Sequence, residues 1–97
     1  MKESHLQIHS SERNAVIERL QSVCETGEFL LEKLNNYAPQ KEIQLLASVI
    51  TSAAGMQHMV QAAGLREDTL ESVEALERHL AAIKQKYPKR LKPVVVE

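Results

Sequence analysis

The amino-acid sequence predicts an all-α protein: an antiparallel helical hairpin with a third amphipathic helix, expected to form a dimeric helical bundle. Three observations support this prediction. Apolar residues recur at spacings of three and four in three segments, as in helices with one buried face. Pro39, Gly64 and Pro88 separate these segments, and proline and glycine commonly mark helix boundaries. The middle segment contains 23 consecutive residues without a formal charge, Ile43 to Leu65.

The first helix is predicted from about Ser11 to Tyr37. Ser10 or Ser11 can serve as its N-cap, because a serine hydroxyl accepts a hydrogen bond from a free backbone N–H of the first turn. The preceding residues, 1–10, are expected to form a flexible segment. The apolar residues cover an arc of roughly 160°. They are Val16, Leu20, Val23, Gly27, Leu30, Leu34 and Tyr37, widened by Ile17, Cys24 and Leu31.

The second helix is predicted from about Pro39 to Ala63, with Gly64 just past its end. Its larger apolar residues cover an arc of roughly 200°. They are Leu45, Leu46, Val49, Ile50, Met56, Met59 and Val60. The remaining side consists mostly of small or uncharged residues, which allow another backbone to approach closely. A helix without a charged face is usually surrounded by other elements.

The third helix is predicted from about Thr69 to Tyr87, where Asp68 and Glu71 resemble a capping box. Its apolar stripe is only roughly 80° wide, which indicates a peripheral helix. Residues 11–87 thus form a single three-helix domain. Residues 88–97 are expected to be a basic, non-helical tail.

The uncharged second helix allows two interpretations of the assembly. Helices one and three together are expected to be too narrow to cover it, which favours a homodimer, since symmetric dimers are the commonest soluble oligomers. A compact three-helix monomer that covers the second helix completely is the alternative. A membrane span is not expected, because glutamines, a histidine and hydroxyl residues interrupt the apolar run. The candidate interaction surface comprises Phe29, Ala47, Thr51, Ala54 and His58.

Catalytic and metal-binding motifs are not recognisable in the sequence. Cys24 is the only cysteine, and it lies on the apolar arc of the first helix, where a thiol behaves as a small hydrophobic group. His5 and His9 have helical spacing but no third ligand, and His58 points away from Met56 and Met59 on the helical wheel. We therefore expect a non-enzymatic protein without a cofactor. With one cysteine and no apolar leader, a cytoplasmic location is expected.

The charges are unevenly distributed along the chain. Residues 1–82 contain seven Lys and Arg against twelve Asp and Glu, whereas residues 83–97 contain five against one. The candidate nucleic-acid contacts are Lys84, Lys86, Lys89, Arg90 and Lys92, beside Tyr87, which offers a ring for stacking. Basic residues at a helix C-terminus also complement its dipole, and the acidic body opposes long-range attraction.

The function that the sequence favours is a small interaction module: an adaptor, chaperone or regulatory subunit with an unidentified protein partner. The alternative is a nucleic-acid-associated regulator that uses the basic C-terminal segment. The sequence alone does not identify the partner or the pathway.

Overall fold

The computed structural model describes residues 2–91 of the chain, with side chains described from residue 11 onwards. The described part is all α-helical and contains no strand, as the sequence predicts. Three helices pack against each other, and a fourth forms a single turn. They are α1 (Lys2–Leu34), α2 (Gln40–Ala63), α3 (Thr69–Lys86) and α4 (Pro88–Leu91).

A tight turn connects α1 to α2 and makes them antiparallel. The carbonyl of Leu34 accepts hydrogen bonds from the backbone N–H groups of Tyr37 and Ala38, both at 2.9 Å, which closes the end of α1. Pro39 has an extended ψ of 149° and precedes the first turn of α2, where a proline costs no intrahelical hydrogen bond. The turn therefore follows from the local sequence, and α2 begins one residue after its predicted start.

The hydrophobic core lies between α1 and α2 and extends to α3. Its α1 residues repeat at three- and four-residue spacing, as predicted, and α3 contributes a narrow stripe. α3 runs beside α1 in the same direction, since Arg19 of α1 pairs with Glu77 of α3 and Lys33, further along α1, meets Arg90, just beyond α3. The buried apolar residues are Val16, Leu20, Val23, Leu30, Leu34, Leu46, Val49, Ala53, Val60, Val73, Leu80 and Ile83.

Helices α1 and α2 approach each other closely at Gly27. A Cβ atom placed on Gly27 would lie 2.6 Å from Cγ1 and 3.3 Å from Cδ1 of Ile50. One turn away, the Cys24 thiol donates to the carbonyl of the same Ile50, with Sγ at 3.8 Å from the oxygen. At this contact α1 thus contributes a glycine, and α2 contributes the branched side chain of Ile50.

The connection to α3 depends on a glycine and a threonine. Gly64 ends α2 with φ of +83°, a value that residues with a side chain rarely adopt. The buried Thr69 hydroxyl accepts a hydrogen bond from the backbone N–H of Arg66 at 2.9 Å. The predicted capping box at Asp68 is wrong, because the Asp68 side chain makes no cap hydrogen bond. Thr69 stabilises the turn one residue later instead.

The two ends of the domain differ from the predicted bounds. α1 begins at Lys2 rather than near Ser11, so most of residues 1–10 continue the helix. No proline or glycine lies in that stretch, and the serines at 10 and 11 do not end a helix that is already formed. The predicted non-helical tail is also wrong for Pro88–Leu91, since proline at a first helical position starts a new turn. Residues 92–97, including Lys92, lie outside the described residues.

We expect the substitution Gly27→Ala to destabilise the protein, although alanine favours helix formation by about 1 kcal/mol over glycine. The added methyl group collides with Ile50, and overpacking of this kind costs roughly 1–3 kcal/mol. Gly55→Ala is the matched control, because nothing lies within 4 Å of a Cβ there. Urea unfolding should show a lower free energy of unfolding for Gly27→Ala and a free energy of unfolding higher by about 0.5–1 kcal/mol for Gly55→Ala. An increase in stability for Gly27→Ala would contradict the close approach.

Candidate interaction surface

Helix α2 is buried along only one narrow strip. Four of its 24 residues are buried: Leu46, Val49, Ala53 and Val60. On a helix with 100° per residue these four span roughly 60°, far less than the apolar arc of roughly 200°. The expectation that helices one and three leave part of the second helix uncovered is therefore confirmed for the described chain. Leu45 and Met59 remain 37% and 51% exposed.

The outer side of α2 carries four of the five predicted surface residues. Ala47, Thr51, Ala54 and His58 are all exposed and follow one another at spacings of four, three and four, so they form one row along the helix. The Thr51 hydroxyl donates to the carbonyl of Ala47 at 3.0 Å. Because this hydrogen bond is made within the helix, the Thr51 hydroxyl needs no partner outside it, and the row contains no Lys, Arg, Asp or Glu. We call these four residues the α2 row.

Phe29 does not belong to the same surface. It is 44% exposed and lies on the side of α1 that faces away from the core. The Lys33 ammonium group lies 5.7 Å from the centre of its ring, a cation–π contact typical of an exposed helix surface. The structure therefore separates Phe29 from the α2 row, and the five predicted residues form two surfaces rather than one.

One side of the hairpin has no helix packed over it in the described part of the chain. α3 packs on the side of α1 that carries Arg19 and Thr26, which line a groove with Leu80. Residues on the flank of α1 roughly 120–180° away from that side do not reach α3. The half-buried apolar residues of this open side are Ile17, Cys24 and Leu31 on α1 with Ile43 and Ile50 on α2.

The α2 row borders this open side directly. Ala47 and Ala54 lie within roughly 60° of Ile50 on the α2 wheel. The prediction from the sequence assigned Ile17, Cys24 and Leu31 to a wider core face. It therefore did not include this second surface. The sequence does contain an indication of this surface. Ile17, Cys24 and Leu31 extend the apolar arc of α1 on one flank only, so the arc is asymmetric. We call the five half-buried residues together with Ala47 and Ala54 the open side.

The basic residues near the C-terminus are dispersed rather than gathered into a patch. Lys84 lines the groove between α1 and α3, on a different side of α3 from Lys86. Lys86 forms a salt bridge with Glu42. The guanidinium group of Arg90 lies 4.9 Å from the centre of the Tyr37 ring, and its Nε donates to the carbonyl of Lys33 at 3.3 Å. Lys89 is exposed.

Of the four candidate nucleic-acid contacts within the described residues, Lys86 and Arg90 thus belong to a cluster that holds α3 and α4 against the α1–α2 turn. The Tyr87 hydroxyl donates to Glu42 at 2.5 Å, and the rings of Tyr37 and Tyr87 meet edge to face with centres 5.8 Å apart. We call Glu42, Tyr37, Tyr87, Lys86 and Arg90 the tyrosine clamp. Sequence reasoning misses it because its members are distant along the chain and no local pattern links them.

Two side chains considered above for catalysis or metal binding, Cys24 and His58, lie within the described residues. Burial, followed by the nearby Glu28 and Glu25, raises the pKa of the Cys24 thiol, which disfavours the thiolate. His58 is exposed beside Met59, and within the described residues no three His, Cys, Asp or Glu side chains are grouped to hold a metal ion. His5 and His9 lie outside the residues whose side chains are described.

No known protein family matches the chain, and no curated protein or solved structure is significantly similar to it. Between residues 2 and 91, no helix has the length and apolar character that a membrane span requires.

The tyrosine clamp should depend on pH through Glu42. Hydrogen bonds from Lys86 and then Tyr87 hold the pKa of the Glu42 carboxyl below its usual value of 4.5. A lowered pKa in the folded state means that the clamp stabilises the fold above pH 4.5 and that this stabilisation is lost as the pH falls through the lowered value. Glu42→Gln should therefore lower the melting temperature by a few degrees at pH 7 and by a smaller amount near roughly pH 3.

Circular dichroism melts at the two pH values test this expectation. Glu32→Gln, which removes a carboxylate from the outer side of α1, is the control and should show no comparable difference. An equal effect of Glu42→Gln at both pH values would contradict the role of the carboxylate in the clamp.

Proposed function

We propose that the protein is a small, non-catalytic cytoplasmic module that binds another protein through the uncharged side of α2. It acts as an adaptor, a chaperone or a regulatory subunit. This proposal rests on one observation, that α2 is largely exposed but almost without charged residues. Most of the helix is exposed, yet no charged residue occurs between Ile43 and Leu65.

Other helical surfaces of the same chain have the composition usual for contact with water. The outer side of α1 carries Glu18, Glu25 and Glu32 around Phe29, and α3 exposes Glu71, Glu74 and Arg78. The depletion of charge on α2 alone is typical of the core of a protein interface rather than of a free surface. The partner is either a different protein or, as the sequence predicts, a second copy that forms a homodimer.

The chemistry of Cys24 supports a role in binding rather than catalysis. A nucleophilic cysteine needs a lowered pKa and a neighbouring base, whereas burial raises the pKa of this thiol. Its hydrogen bond goes to the carbonyl of Ile50. Cys24 is therefore better suited to packing between α1 and α2.

Affinity capture from the native host with mass spectrometry tests this function. Wild type and Ala82→Arg should retain the same partner, because Ala82 lies on the outer side of α3. Ala54→Arg places the same charge on the α2 row and should reduce capture at least about tenfold, as a buried unpaired charge costs several kcal/mol. Phe29→Ser serves as a third bait for the α1 surface. Undiminished capture by Ala54→Arg would remove the α2 row from the interface.

The alternative function, nucleic-acid binding through the basic segment, is supported by the exposed Lys84 and Lys89. It is weakened by the engagement of Lys86 and Arg90 within the chain. The contribution of Lys92 falls outside the described residues. A ligand held by phosphate contacts would have to compete with the tyrosine clamp for two of its basic groups.

Fluorescence anisotropy with labelled duplex and single-stranded DNA and RNA tests whether the basic segment binds nucleic acid. Binding through this segment should be lost on deletion of residues 89–97, should persist in Lys41→Glu, and should weaken steeply as salt rises from low to physiological concentration. Failure to bind any of these probes at low salt would eliminate this function.

A further inference from the structure

We infer that the open side of the α1–α2 hairpin is the docking face for a second copy of the same chain. The two hairpins pack face to face, with each helix antiparallel to its counterpart across a two-fold axis. This inference rests on the proposed function and names its partner. It also enlarges the interface from the α2 row to both helices of the hairpin.

The size of the open side favours an interface that uses both helices. About 22 residues of each helix face each other in the hairpin, which gives a length of about 33 Å, and two adjacent helices are about 20 Å wide. The flat area of this side is thus about 650 Å², and side chains make the accessible area larger. A stable interface buries about 800 Å² on each partner. The α2 row alone, one helix wide, would supply only about half of what is needed.

The chemistry of the open side suits burial. Ile17, Leu31 and Ile43 are already half-buried against the core, and Ile50 is half-buried beside Gly27. These side chains therefore lose further water at little cost in side-chain entropy. Near the centre of the contact, Ala54 allows the backbones of two α2 helices to approach closely. On α2, the polar groups of this flank are the amides of Gln57 and Gln61, so α2 brings no charge into the contact.

Charge complementarity selects a second copy in the antiparallel arrangement. On the α1 wheel, Arg13 lies on the same flank as Leu31, and Glu28 lies at the outer edge of that flank. Both are exposed, carry opposite charges and stand about 22 Å apart along α1. A two-fold axis midway between them places Arg13 of each copy opposite Glu28 of the other. The face is therefore complementary to itself.

The two reciprocal pairs set the register rather than supply most of the affinity. Exposed ion pairs contribute little free energy, whereas like charges placed opposite each other disfavour an arrangement. Parallel packing of the two α1 helices, about a two-fold axis that runs along α1, would put Arg13 against Arg13 and Glu28 against Glu28 and would leave the two α2 helices on opposite sides. The antiparallel arrangement avoids both repulsions, and the uncharged α2 helices meet beside the α1 helices.

Sedimentation equilibrium on the full chain, over a range of micromolar concentrations, tests the proposal. Wild type should have twice the chain mass of 10.9 kDa. Ala54→Arg should be a monomer with unchanged helical content, and Ala82→Arg should remain a dimer. Glu18→Arg, on the outer side of α1, should leave the dimer intact.

Charge reversal tests the register without disturbing the core. Arg13→Glu and Glu28→Arg should each weaken the dimer by roughly tenfold, because each creates two repulsive contacts. The double variant should restore the wild-type dissociation constant, since it exchanges the charges of both pairs. In addition, alkylation of Cys24 should slow as the protein concentration rises through the dissociation constant.

The outcomes separate this inference from the proposed function. A monomeric wild type at high micromolar concentration overturns the inference, as does a dimer that Ala54→Arg leaves intact or a double variant that fails to restore binding. If such a monomer still captures a different protein in a manner that Ala54→Arg abolishes, the proposed function stands. If the dimer is confirmed and no other protein is captured, self-association is the interaction.

Discussion

The packing of Ile50 against Gly27 is the contact on which the arrangement of the other helices depends. With no Cβ on α1 at this point, α2 approaches closely enough for the Cys24 thiol to reach the carbonyl of Ile50. The contact fixes how α1 and α2 are rotated toward each other. It thereby decides which flank of the α1 apolar arc faces α3 and which flank becomes the open side.

This rotation explains why the bundle is covered unequally. The flank of α1 that includes Val23 and Leu30 receives α3, and the Arg19–Glu77 ion pair lies at its edge. The tyrosine clamp then holds the C-terminal end of α3 against the α1–α2 turn. α1 and α3 cannot enclose α2 from both sides, because α3 has only a narrow apolar stripe. The apolar residues on the flank opposite α3 therefore remain partly accessible.

Local signals account for the parts of the fold that could be predicted. Pro39 and Gly64 each impose a backbone conformation that is incompatible with a continuing helix, so the bounds of α2 were within about one residue of their predicted positions. The α1 start was not predictable in this way, since Ser10 and Ser11 are compatible with both a cap and a helix interior. Likewise, Pro88 begins a helix as readily as it ends one.

The surfaces were harder to predict than the helices. A helical wheel identifies which residues of one helix are apolar, but it does not say which neighbour covers each flank. For this reason the α2 row was predicted, whereas Ile17 and Leu31 were assigned wholly to the core. The tyrosine clamp joins residues 45 positions apart, Glu42 and Tyr87, and such a pairing follows only from the packing of α3.

The position of Cys24 has a consequence for the redox behaviour of the protein. Its raised pKa keeps the sulfur in the thiol form, which neither attacks disulfides nor reacts readily with oxidants. In the proposed two-fold arrangement, the two copies of Cys24 would stand about 10 Å apart along the helix axis, beyond the Cα separation that a disulfide spans. A dimer that associates through the open side in this way would therefore be held by non-covalent contacts, without a disulfide between the two copies of Cys24.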